Sequence, residues 1–263
     1  VSATSVAVPA DRVSEVLARL ATVNDPELDE SVVELDFVTD VTVDGDGAVS
    51  LSFRLPTYWC AANFAFIMAE DMRNAVAALP WVTRVNVALG EHMYADTINQ
   101  GIAETQSFET AFGDEANGNL AEVRRTFLVK AFQRRQVALA DHLLAAGYTP
   151  EALAAHTIGA LRSCETTPEG QALVRRYLDR RAVVGEADDE APAFVDEHGA
   201  SVAPEAFRPH LRALRRVAVN VEFNGALCRG LLAARFNETR EDAEPTLLDF
   251  IRAVPAEKRA PIG

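Results

Sequence analysis

VELDFVTDVTVDGDGAVSLSFRL, residues 33–55, decides the fold class. Residues 33–43 and 48–55 are rich in branched and aromatic side chains and flank Asp44-Gly45-Asp46-Gly47, so they predict two strands joined by a tight hairpin turn. Upstream, residues 11–23 carry Val13, Val16, Leu17 and Leu20 at helical spacing with Asp11 as a candidate cap, and Asp25-Pro26 breaks the helix that this predicts. Downstream, Phe64, Ile67, Met68, Met72, Val76 and Leu79 recur at intervals of three and four, the pattern of a second helix that Pro80 ends. Residues 81–89 then alternate, with Val82, Val85, Val87 and Leu89 apolar, and read as a third strand. The order helix-strand-strand-helix-strand predicts an α+β fold: a small three-stranded sheet with helices on one face.

Beyond this point the pattern turns helical. Residues 120–146, 150–164, 168–183 and 206–236 all show helical spacing, with a shorter candidate at 246–254. The acidic stretch 185–204, with two prolines, reads as a long exposed loop. In the last long helix Leu211, Leu214, Ala218, Val221, Gly225, Cys228 and Leu232 form a stripe suited to packing against other helices. Charge changes with pattern: residues 1–112 hold 17 acids and 5 bases, residues 113–263 hold 22 and 20. This break places a domain boundary near Gly113, with an α+β domain over 1–112 and an all-α domain over 113–263.

The composition argues against several functions. A net charge of -14 is unsuited to nucleic acid, whose binding depends on Lys and Arg neutralising phosphates. There is no run of eighteen apolar residues, and residues 1–10 have neither the basic nor the apolar region of a signal peptide, so a cytoplasmic protein with no membrane partner is expected. No GxGxxG, GxxxxGK[ST] or GxSxG occurs, and the five histidines form no HxxxH, HExxH or paired Glu-x-x-His pattern. With no acid, base or nucleophile to nominate beyond Cys60, the chain is read as a non-enzyme. Cys60, Cys164 and Cys228 are few, odd in number and far apart, which predicts free thiols.

Cys60 is the first candidate for chemistry. At the start of a helix it meets the positive end of the helix dipole, which favours a thiolate able to ligate iron or attack a disulfide. It also shares a face with Phe64, Ile67 and Met68, which suits plain burial. On the last long helix Asn220, Asn224 and Cys228 lie at intervals of four, beside Arg229. They suit a hydrogen-bonded set fixing helix register, or a metal or thiol site. The arginines of the helical half, among them Arg124, Arg134 and Arg215, either present a docking face or pair with nearby acids on a solvated one.

Asp25-Pro26-Glu27, the approach Pro56-Thr57-Tyr58-Trp59-Cys60 and the order of elements resemble the SufT/PaaD-like metal-sulfur cluster assembly family over about residues 12–105. That family includes cytosolic iron-sulfur targeting factors and a phenylacetate-epoxidase accessory protein. The family often shows a small residue and a proline around the cysteine, whereas Tyr58-Trp59-Cys60-Ala61-Ala62-Asn63 brings two aromatics here. The resemblance implies that Cys60, Asp25 and Glu27 are metal ligands with Thr57 and Trp59 as neighbouring binding residues, and that no cofactor is held tightly, only transient iron or an iron-sulfur cluster. It implies a maturation factor for a client metalloenzyme. The helical extension is similar to accessory proteins of bacterial binuclear-iron monooxygenase clusters, which makes such a hydroxylase the expected client, with Arg124, Arg134, Arg215, Asn224 and Cys228 as candidate docking residues. The alternative is a stable, non-catalytic interaction subunit of that oxygenase that handles no metal.

Overall fold

The computed structural model describes residues 10–116 and 118–236, and the helix expected at 246–254 lies outside them. Two compact units divide these residues. The first takes residues 10–120 and 223–236, the second residues 121–222.

In the first unit α1 (Ala10–Leu20) precedes β1 (Val38–Val43), β2 (Ala48–Phe53), α2 (Ala62–Ala77) and β3 (Arg84–Leu89), which is the expected order. The sheet runs β1-β2-β3, antiparallel between β1 and β2 and parallel between β2 and β3. A parallel pair needs a crossover, and α2 supplies it. Register puts Val41 opposite Leu51 and Leu51 opposite Val87, so one continuous apolar face forms, while Ser50, Arg84 and Asn86 point to the exposed face. At the hairpin the Asp44 carboxylate accepts from the amides of Asp46 and Ala48. Gly47 has φ +83°, and a Cβ there would lie 2.4 Å from the Trp81 carbonyl oxygen, so only glycine fits.

The first strand is shorter than its composition predicts. Residues 33–36 form a turn, because the amides of Leu35, Asp36 and Phe37 bond back to the carbonyls of Ser31, Val33 and Val32, and Asp36 takes φ 56°. Val32, Leu35 and Phe37 then enter the core from a turn rather than from a ladder. Two helices the pattern did not predict follow the sheet, α3 (Ala95–Ala103) and α4 (Phe108–Phe112). Phe108 and Phe112 meet Phe66 of α2 at ring distances of 5.6 and 6.5 Å, so α4 is an aromatic clamp on α2.

The second unit is built from α5 (Leu120–Ala145), α6 (Pro150–Ala154), α7 (Ile158–Arg162), α8 (Pro168–Arg181) and the start of α9 (Pro204–Phe236). The single helix expected over 150–164 is broken at Ala155, where Thr157 caps a new one. The stretch 185–204 is irregular as expected but is not exposed throughout: Ala193, Phe194 and Val195 are fully buried. Side chains of the helices satisfy its backbone. Gln136 accepts from the Val195 amide and donates to its carbonyl, Tyr177 donates to the Ala193 carbonyl, and Arg181 donates to that of Pro192.

Candidate functional site

Pro26 has no amide to give, so the first amides available after Asp25 are those of Glu27 and Leu28. Both donate to Asp25 Oδ1, at 2.9 and 2.7 Å. The Asp25 amide bonds to the Glu30 carbonyl and its carbonyl accepts from Asp29, which closes a tight loop with Asp29 at φ 51°. Asn24 donates to the Asp29 carboxylate and locks that turn. Asp25 is buried. Burial raises its carboxyl to about 6, the two amides pull it down, and the charges of Glu27 and Glu30 push it up.

Cys60 lies two residues before α2 and not in its first turn, with Ala61 between them as the cap residue. Its Sγ is 3.1 Å from Thr57 Oγ1. The loop after β3 holds the whole approach in place. The Met93 amide donates to the Tyr58 carbonyl at 2.9 Å, and His92 Nε2 lies 2.8 Å from the Cys60 carbonyl oxygen. Because Nδ1 of His92 accepts from the Tyr94 amide, the hydrogen sits on Nε2 and is donated to Cys60. Burial lowers that imidazole from its ordinary range, opposed by the Cys60 carbonyl and aided by Arg235. Nothing in residue spacing tied His92 to Cys60. The only signal was its place just past the end of a strand, where loops carry functional groups.

The end of α9 covers this region. Asn224 donates to Glu27 at 3.0 Å, Arg229 pairs with Glu30 at 2.8 Å, and Arg235 donates to the carbonyls of Leu55 and Glu91 and to the Glu91 carboxylate. Asn224 thus bonds a loop and not a neighbouring helix, while Asn220 is exposed. Cys228, one turn after Asn224, is half-buried with Cys60 against the same apolar cluster. Burial raises the Cys228 thiol to about 12. Asp25, Cys60 and Glu27 add to that rise, and Arg229 opposes it. Asp25, Glu27, Cys60 and Cys228 are therefore within electrostatic reach of one another's region, although no three metal-ligating groups among the described residues are placed to hold a single ion.

Trp59 and Tyr58 stand beside Cys60 with 71% and 52% of their surface exposed. Of the arginines singled out, Arg215 pairs with Asp141 inside the second unit, and Arg124 and Arg134 are half-buried on α5. Cys164 is buried in the second unit, its Sγ 3.0 Å from the Tyr148 hydroxyl.

A small mixed sheet covered on one face by helices, with an Asp-Pro-Glu loop and a cysteine-bearing helix approach converging on one helical turn, defines a class of α+β domain that offers sulfur and oxygen donors. The chain belongs to the iron-sulfur cluster assembly protein family, whose model matches residues 14–87. It is 32% identical over 92 residues to an uncharacterised protein of Methanocaldococcus jannaschii, covering 35% of this chain and 95% of that protein. It is 44% identical over 72 residues to an iron-sulfur cluster carrier protein of Synechocystis sp., covering 27% of this chain and 20% of that one. It is 30% identical over 105 residues to a chloroplastic Fe-S cluster assembly factor of Oryza sativa subsp. japonica, covering 38% of this chain and 20% of the rice protein. The chain thus spans a fifth of the length of the last two relatives and nearly all of the first.

Proposed function

We propose that this chain is a non-catalytic accessory factor that takes up iron or an iron-sulfur cluster transiently and passes it to a client metalloenzyme in the cytoplasm. The observation that carries this reading is the convergence of Cys60, Asp25 and Glu27, the residues of the family's hallmark motifs, on the Asn224–Cys228 turn of α9. The names of the Synechocystis and rice relatives support the cargo. Three free cysteines suit a reducing compartment, and no described helix is long and apolar enough to cross a membrane.

The client in this reading is a bacterial binuclear-iron hydrocarbon monooxygenase. The helical residues from 113 onward, with Arg124, Arg134 and Arg215, supply its docking surface, and Trp59 contacts it beside the cargo. A second reading, a stable interaction subunit without metal handling, draws support from the exposed Trp59 and Tyr58.

Anaerobic purification from the native host separates the two. The carrier reading expects substoichiometric iron and acid-labile sulfide that Cys60→Ser removes, with loosely held partners. A metal-free protein in stoichiometric complex with an oxygenase would establish the subunit reading instead.

A further inference from the structure

We infer that Cys228, contributed by a helix outside the matched family residues, joins Cys60 as a second cysteine ligand of an iron-sulfur cluster. This rests on the function proposed above and adds to it which residues hold the cargo.

Both flanks of Cys228 are tied to the Asp-Pro-Glu loop: Asn224, one turn before it, bonds Glu27, and Arg229, next to it, bonds Glu30. Leu232, one turn further on, is buried in the core of the sheet unit. The face of α9 that carries Cys228 is therefore fixed against the loop, and the two thiols pack on one apolar cluster. The carboxylates are already engaged. Asp25 Oδ1 takes two amides and Glu27 Oε1 takes Asn224, so these side chains position the loop and the helix, and the sulfurs are the soft donors.

The form of the cargo is taken from the function proposed above, and two soft donors on different elements suit it. A lone ion needs its ligands to meet at one point, and no three groups among the described residues do so. A cluster presents separate irons, each with its own ligand position, so thiols on different elements can each take one. As each Fe–S bond forms, the cysteine proton passes to solvent and an external thiolate or water leaves the iron, with no change in oxidation state. The cationic irons favour the thiolate that burial and the nearby carboxylates disfavour in Cys228. With two protein ligands the other cluster positions stay with exchangeable external ligands, which suits a cargo that must be handed on.

The test is anaerobic reconstitution of the full chain with ferric iron, sulfide and dithiothreitol, the thiol reducing whatever share of the iron a mixed-valence cluster needs, followed by desalting. Bound iron, acid-labile sulfide and visible absorption are then measured. Wild type and Cys164→Ser retain both elements, while Cys60→Ser and Cys228→Ser each retain roughly tenfold less or lower still. Cys228→Ala gives the same loss with an unchanged far-ultraviolet circular dichroism spectrum, which excludes unfolding as the cause. If Cys228→Ser and Cys228→Ala retain wild-type iron and sulfide while Cys60→Ser loses them, the two-cysteine site is wrong and the accessory function survives. If wild type retains neither element, both readings fall.

Discussion

Burial lifts the Asp25 carboxyl to about 6, against 3.8 for an ordinary aspartate, while the Glu27 and Leu28 amides only partly counteract it. The folded chain therefore holds this proton more tightly than the unfolded chain. The stability from the neutral form is fully present below pH 3.8 and is lost as pH rises through about 6. Asp25→Asn keeps an oxygen for the two amides and removes the charge. In urea unfolding of the metal-free protein it should add on the order of 2–3 kcal/mol at pH 7.5 and little at pH 4. An equal gain at both pH values would mean that the charge is not what destabilises the loop. Single residues also mark how far sequence reading reached into the site. Cys60, Asp25 and Glu27 announce themselves through residue type and order. His92 does not, because its role is one hydrogen bond to a backbone carbonyl 32 positions away.

At the scale of elements, what was legible depended on period. α2 and the α9 stripe carry long, regular apolar repeats and formed where expected, and the β1-β2 hairpin formed too, apart from residues 33–37 at the start of its first strand. Among the residues of α3, only Ile98, Gly101 and Ile102 are buried, too few to set a period. The burial of 193–195 was hidden for another reason: it depends on polar side chains of remote helices. Gln136 is fully buried and bonds the Val195 amide and carbonyl, the Tyr177 hydroxyl and His210. Gln136→Leu would strip partners from the Val195 amide and carbonyl at once. A cost of about 3 kcal/mol or more is expected, since each unsatisfied buried group costs roughly 1–3. Chemical denaturation should register it as an earlier midpoint with the circular dichroism of the helices retained. A midpoint within error of wild type would show that water or neighbouring groups replace the amide.

For the whole molecule the decisive element is α9, whose first part belongs to one unit and whose last fourteen described residues, 223–236, belong to the other. No charge or composition change marks residue 223, and the Asn224–Glu27 bond links positions 197 apart, so sequence could identify the helix but not its destination. Residues 223–236 therefore belong with residues 10–120 in the sheet unit. Leu232 lies in the sheet unit's core with Phe37, Phe53 and Phe66, and Arg235 caps the Leu55 carbonyl and the Glu91 carboxylate. Leu232→Ala should therefore destabilise the sheet unit by about 2–5 kcal/mol, the usual range for a leucine removed from a packed core. Hydrogen exchange would localise the loss: faster exchange in β2, β3 and α2, with α7 and α8 unchanged. Unaltered protection in the strands would mean that the sheet unit is self-sufficient and α9 only rests on it. The same experiment separates two origins for a lost cluster in any α9 variant, because Cys228→Ser should leave strand protection intact while removing a ligand, whereas Leu232→Ala weakens the fold with both thiols still present.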